Sequence, residues 1–326
     1  MNRFEIVTPT SLDDASRLLV LKDHIAIAGG VDVVDLLKLN LIAPKTIVNL
    51  KGLQELDGIR IDSRALRLGA LTKLHAVATH PVILERYTAI AEAAVEAATP
   101  QIRNLGTVGG NLLQRPRCWY FRHPDVQCLK KGGDRCYSLG GLNRYNAILG
   151  GGPSYVVHPS NLAPALIAMN ARARLVGPSG DRTVDLEKFF TLPTVDATRE
   201  NVLQPGEVIV EVIVPEPSGQ THSTYIEARE KQSFDWPLVS VAAVLVGSRT
   251  IYDARIVMGA VAPIPWRVPE AEAAIKRAPL NIAHARAAAE VALKDAQPMS
   301  DNAYKVAIAK VIVRRAIMRA GGIAEA

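Results

Sequence analysis

Thr99-Pro-Gln-Ile-Arg-Asn104-Leu-Gly106-Thr107-Val-Gly109-Gly110-Asn111-Leu112 runs through Leu113 into Gln114-Arg-Pro-Arg-Cys118, and on past Cys128 to Cys136. The first half interleaves three glycines with Asn104, Thr107 and Asn111. Glycine reaches φ > 0 and lets a backbone approach a ligand closely. Successive N–H groups in such a turn form a concavity suited to phosphate oxygens. The second half holds all three cysteines of the chain. A phosphate-cradling turn that leads into a thiol cluster points to a cofactor site beside a metal site.

A second glycine turn lies upstream. Ile25-Ala-Ile27-Ala28 reads as a strand, Gly29-Gly30-Val31-Asp32 as its turn, and Val33-Val-Asp-Leu-Leu-Lys as a helix. Strand, double glycine and helix bring backbone donors toward an anion; an ordinary turn explains the pair equally well. Around it, Phe4–Val7, Thr46–Leu50, Gly58–Ile61 and Ala65–Ala70 alternate as half-buried strands. Ser11 caps a helix, and 72–80 and 82–98 carry helical periodicity. The front half is therefore α/β or α+β.

Further on, 162–170 reads as a helix, and 173–176 and 208–214 as strands. Pro215-Glu-Pro-Ser-Gly closes that half. Strands over 223–227, 238–246 and 254–261 precede helices over 269–276, 282–294 and 302–319, the last capped by Ser300-Asp301. The expected C-terminal domain is a small antiparallel sheet under a helical layer.

With 326 residues, 48% hydrophobic, the chain is long enough for two domains around real cores. A net charge of +6, from 38 basic and 32 acidic residues, with only 5% aromatics, does not make a nucleic-acid binder. No run reaches the roughly 18 apolar residues of a membrane span, and Met1–Val7 lacks a signal-peptide core. The expectation is a cytoplasmic chain, or one exported (periplasmic) with a signal-bearing partner.

Nine residues separate Cys118 from Cys128 and seven separate Cys128 from Cys136, so no Cys-x-x-Cys knuckle exists. Three readings stand: buried structural thiols, zinc held by the cysteines with His123, or an iron–sulfur cluster. Arg115, Arg117, Arg122, Lys130, Lys131 and Arg135 could stabilise an anionic cluster or form a solvated face.

Seven motifs in order resemble the FAD-binding middle subunit of the molybdenum hydroxylases, the xanthine dehydrogenase and aldehyde oxidoreductase superfamily. They are Ala28-Gly-Gly-Val-Asp32, Leu68-Gly-Ala-Leu-Thr72, Gln101–Leu112, His158-Pro-Ser-Asn161, Pro205-Gly-Glu-Val-Ile209, Ser233–Ala242 and Gly259–Arg267. The insert from Gln114 is similar to the subgroup, bacterial aldehyde oxidoreductases and 4-hydroxybenzoyl-CoA reductases, whose flavin subunit also carries a [4Fe-4S] cluster.

The resemblance implies an α+β fold: a two-part FAD-binding domain of the vanillyl-alcohol-oxidase type over 1–217 (subdomains 1–55 and 56–217, insert 114–154), then a flavoprotein domain over 218–326. It implies an oxidoreductase subunit of a heterotrimer. A small subunit with [2Fe-2S] centres would deliver electrons, and a large molybdopterin subunit would handle the substrate, an aldehyde. Flavin contacts would come from Ile27, Ala28, Gly29, Gly30, Val31, Asp32 and Val33. Asn104, Gly106, Thr107, Gly109, Gly110, Asn111, Leu112, Asn161, Ile209 and Arg229 would complete them. The pyrophosphate and ribityl chain would rest on backbone N–H groups of 25–35 and 104–112.

Cluster ligands would be Cys118, Cys128 and Cys136, with Ser154 where the subgroup has its fourth cysteine. Asn161 replaces an aspartate that contacts the flavin, and Glu227 replaces a lysine in the subgroup's Tyr-x-Lys-x-Arg. A stand-alone FAD oxidase of the same fold and a zinc-bearing scaffold are the competing readings. The scattered histidines, with no recognisable base, favour the electron-transfer subunit over the oxidase.

Overall fold

In a computed structural model, residues 1–326 are described except Ser63, Gln232, Ser233, Arg249, Ala278, Glu325 and Ala326. Three sheets organise the chain. The first is parallel: β1 (Glu5–Val7), β2 (His24–Ile27) and β3 (Thr46–Asn49) in the order β1-β3-β2. The helix Leu12–Val20 joins its first two strands, and Ser11 caps it by accepting the Asp14 N–H at 3.1 Å.

The second sheet is antiparallel. Its strands are β4 (Ile59–Ile61), β5 (Ala65–Gly69), β6 (Arg172–Gly177), β7 (Gly180–Asp185) and β8 (Val208–Pro215). They lie in the order β4-β5-β8-β6-β7. β7 carries Gly-Asp-Arg-Thr-Val-Asp, a polar edge strand whose exposure hid it from hydrophobic patterning. The helical stretch expected over 82–98 divides at Tyr87 into Pro81–Arg86 and Thr88–Glu96. Tyr87 leaves helical geometry (φ −127°) and is fully buried, so packing outweighs the continuous apolar periodicity.

The third sheet holds β9 (Thr221–Ala228), β10 (Val239–Val246), β11 (Asp253–Gly259) and the short β12 (Trp266–Arg267), antiparallel in the order β12-β11-β10-β9. Alternation along β10 serves two cores. Val239, Val241, Ala243 and Leu245 pack under the C-terminal helices. Ala242 and Val244 join the core of the preceding domain, against elements such as Leu162–Ala168. Glu187, after β7, accepts from Arg255 (2.8 Å) and Arg267 (3.1 Å), and Arg267 also pairs with the buried Glu272 (2.8 Å).

The last helix runs Tyr304–Ala320, with Ala303 at its cap position and no capping side chain. The expected cap residues act elsewhere: the Ser300 hydroxyl and Asp301 N–H both bond Asn143 at 2.9 Å. Lys305, on the same helix, is buried, and its ammonium donates to the carbonyls of Ala260 (2.7 Å), Asn146 (3.1 Å) and Tyr145 (3.4 Å). Among the described residues no helix is long and apolar enough to cross a membrane.

Candidate functional site

The first glycine turn follows β2. Gly30 sits at φ +77°, a left-handed conformation that glycine adopts without penalty. Gly29 is needed for proximity: a Cβ there would stand 2.0 Å from the Leu105 carbonyl oxygen. The two glycine turns therefore meet backbone to backbone. No acceptor in the protein takes the N–H groups of Gly29, Gly30, Val31 or Asp32 among the described residues. Four adjacent donors without protein acceptors form a concavity of the kind that suits an anion.

The second turn has the same composition and a different economy. The Gly106 N–H bonds Ile102, Val108 bonds Thr72, Gly109 bonds Ala70 at 2.8 Å, and Asn111 bonds Thr107. The Thr107 hydroxyl caps the helix Val108–Leu112 by accepting from Gly110 at 3.1 Å. From Gly106 to Asn111, Thr107 alone keeps an N–H without a protein acceptor among the described residues. Most amides of the second turn are thus stitched to protein acceptors, several at residues 70–74, and Gly106, Thr107, Gly109, Gly110 and Asn111 form part of a cavity wall. Asn111 extends the stitching, its Oδ1 accepting from the Ser160 hydroxyl at 2.6 Å and the Leu162 N–H at 3.3 Å.

Both turns border a cavity of about 780 Å³, within the roughly 300–1,000 Å³ of small-molecule sites. Ala28 to Val33, Gly106, Thr107, Gly109, Gly110, Asn111, Asn161 and Ile209 line it. Four expected contacts do not. Ile27 belongs to β2, Leu112 is in the core, Asn104 is exposed beyond the helix Pro100–Arg103, and Arg229 lies behind the wall. Leu203–Glu207, Phe234–Pro237, Asp35 and Glu96 are also among the lining residues, with Trp236 half exposed and stacked on Arg117 at 4.9 Å. Arg117 was missed as a wall residue because only the folded insert brings it there. Ser233, at the start of the quoted Ser233–Ala242 motif, lies outside the described residues.

Four acids at the wall are held in ion pairs. Asp32 accepts from the Arg115 N–H (2.8 Å) and from the guanidiniums of Arg117 and Arg122. Asp35 pairs with Arg122 at 2.9 Å, Glu207 with Arg182 at 2.6 Å and Glu96 with Arg229 at 2.9 Å. These carboxylates are held as ion-pair partners, a poor setting for a general base. Asp32 matters most, since an unpaired carboxylate beside the four free donors would repel an anion.

Behind Asn161 lies a buried polar cluster. The Asn161 amide donates to Tyr225 Oη at 3.2 Å and to Glu227 Oε2 at 2.9 Å, and Tyr225 Oη donates to the same carboxylate at 2.8 Å. Arg229 pairs with Glu227 from the other side. Burial pushes the Glu227 carboxyl up, opposed by the Arg229 guanidinium. Nearby His158 is fully buried and T-stacked on Phe190 at 4.5 Å. Burial pushes its pKa down to about 3, so it is neutral and structural.

The 114–154 insert departs from its expectation. Among the described residues, no group of three or more His, Cys, Asp or Glu stands close enough to hold a metal ion. Cys128 is buried against Phe121 and Leu36. The Asn146 amide lies 3.8 Å from Cys118 Sγ, and Ser138 bonds Cys136 at 2.9 Å. Burial pushes the Cys118 thiol up. Ser154 is buried, and a hydroxyl is a poorer iron ligand than a thiolate. His123 is exposed, and its Nδ1 accepts from the Asp125 N–H.

The insert's cations turn inward to acids. Besides Arg117 and Arg122 on Asp32, Arg115 grips Glu200 at 2.9 Å, and buried Lys130 reaches Glu200 at 3.3 Å and the Arg199 carbonyl at 2.7 Å.

Residues 2–217 match the family described as the FAD binding domain in molybdopterin dehydrogenase, and 223–320 match the CO dehydrogenase flavoprotein C-terminal domain. The chain is 34% identical to the aldehyde oxidoreductase FAD-binding subunit of Escherichia coli (strain K12), over 87% of each chain. It is 28% identical to the carbon monoxide dehydrogenase medium chain of Hydrogenophaga pseudoflava, over 97% of this chain and 96% of that one. A solved structure of carbon monoxide dehydrogenase from that organism superposes with a TM-score of 0.78, at 27% identity and 98% coverage of both chains.

Proposed function

Because the chain belongs to the FAD-binding family of the molybdopterin dehydrogenases, the flavin-subunit members of the molybdenum hydroxylases, we propose that it is the electron-transfer subunit of a heterotrimer. Its partners are a small [2Fe-2S] subunit and a large molybdenum-cofactor subunit, and the substrate of the latter is an aldehyde. The observation that carries this reading is the row of four unspent N–H groups at Gly29–Asp32, facing a cavity large enough for a dinucleotide. Those residues fit a diphosphate, and Asn161 and Ile209 stand on the wall.

Bound FAD would supply the redox chemistry, accepting electrons from iron–sulfur centres and passing them to an external acceptor. The protein's part is placement. Gly29–Asp32 bind the diphosphate, Arg117 and Arg122 neutralise Asp32 beside it, and the stitched second turn keeps the wall rigid. The ion pairing of Asp32, Asp35, Glu96 and Glu207 makes these four wall acids poor candidates for the base that a stand-alone oxidase would use. Since the chain travels with its partners, its compartment follows theirs, cytoplasm or periplasm.

The test is to purify the full chain, alone and co-expressed with its partners, and record the visible spectrum. Flavin absorption at one FAD per chain supports the reading, and a colourless chain that binds no FAD overturns it. The finer expectation of a [4Fe-4S] cluster on Cys118, Cys128, Cys136 and Ser154 rests on the likeness of the insert from Gln114 to the cluster-bearing subgroup. The proposed electron path does not pass through it. Iron and sulfide analysis decides: about four irons per chain would establish a cluster, and none would leave the insert as a protein-only clasp.

A further inference from the structure

Asn161 lines the cavity, and its amide nitrogen has two hydrogens. One goes to Tyr225 Oη and the other to Glu227 Oε2. With Glu227 ionised beside Arg229, the carboxylate at 2.9 Å is an acceptor only, so it receives an N–H rather than facing a carbonyl oxygen. With both donors committed, Oδ1 is the group that Asn161 can offer to the cavity. The Glu227 side chain is 4% exposed, and Arg229, Tyr225 and Asn161 contact it while Glu96 lies close by. It is a buried acid one hydrogen bond behind the cavity wall.

We propose that Glu227 is a positioning residue that fixes Asn161 with its carbonyl toward the cofactor, and that residues 161 and 227 work as a matched pair. The inference rests on the flavin reading above, which names the ligand class: a ring that offers an N–H to an acceptor. An aspartate at 161 would place two carboxylates within hydrogen-bond distance, and one would have to hold a proton. A lysine at 227 would turn the Asn161 carbonyl inward and leave N–H groups facing the cavity. Each change alone breaks the match, and both together replace amide–carboxylate with carboxylate–ammonium. Glu227 lies one hydrogen bond behind the cavity wall, so its negative charge would disfavour added negative charge on a group bound there.

The experiment titrates FAD into the full-length apo chain, for wild type, Asn161→Asp, Glu227→Lys and the double variant. Each single change is expected to weaken FAD binding about tenfold, the equivalent of one pKa unit of interaction. The double variant should return to within about twofold of wild type, the signature of coupled sites. Losses that multiply in the double variant overturn the pairing. Glu227→Gln, which keeps size and polarity, guards against misfolding of the charged variants. It should retain FAD yet shift the midpoint potential of the bound flavin upward, and an unchanged potential would overturn the role of Glu227. A wild-type chain that binds no FAD would sink the functional reading itself, whereas FAD binding with uncoupled variants sinks only this inference.

Discussion

The turn at Gly29–Gly30 and the turn at Gly106–Gly110 look alike as sequence and do opposite things with their amides. The first leaves four N–H groups unspent, while the second commits all but one between Gly106 and Asn111 to nearby carbonyls and the Thr107 hydroxyl. Glycine serves display in one and close packing in the other. Gly30 needs its positive φ, whereas Gly109 needs room, since a Cβ there would press on Ala70 at 3.1 Å. A glycine-rich motif therefore does not reveal which amides are available; the partners of its neighbours decide that.

Gly29→Ala should break the first turn most severely. Its Cβ would drive into the Leu105 carbonyl oxygen, so the expected loss is at the upper end of the overpacking range, about 3 kcal/mol. Denaturant melts and the flavin-to-protein absorbance ratio should fall together; a variant that keeps full FAD would mean that the two turns need not touch. Gly109→Ala sharpens the contrast. It should cost roughly 1–2 kcal/mol through crowding against Ala70 while leaving FAD per folded chain nearly intact. Loss of FAD without loss of stability would make the second turn a donor after all.

His158 probes the link between the second turn and the segment that Asn111 ties down. Its folded pKa of about 3 lies below the ordinary value of 6.5. Between those values the unfolded chain binds the extra proton, so stability falls as pH drops from about 6.5 toward 3. The slope contributed by this group is about 1.4 kcal/mol per pH unit. His158→Phe should flatten that part of the stability profile, and an unaltered slope would place the acid sensitivity elsewhere. Smallest of all, Ser154→Cys should change neither stability nor iron content, because among the described residues no three metal-ligating side chains are gathered in one set. Bound iron in that variant would restore the cluster as a property of the insert.

Much of this was legible from local signals. Ser11 caps its helix, the strand at 25–28 ends in the double glycine, and β8 to β11 follow their apolar runs. Ala28–Val33, expected as flavin contacts, line the cavity. What the sequence hid depends on distant partners. β7 lacks an apolar face because it is an edge. The break at Tyr87 follows from where its ring is buried, and the commitment of the Gly106–Asn111 amides follows from contact with residues 70–74. The arginines of the insert have a visible charge, but nothing nearby in sequence names Asp32 or Glu200 as their acceptors.

β10 gives alternate side chains to two cores, and Glu187 is shared with Arg255 and Arg267 from the far side of the junction. Neither half has a finished surface without the other. A protease cut in the Pro215–Gly219 connector should accordingly yield two fragments that remain associated and melt together, rather than modules that can be exchanged between chains.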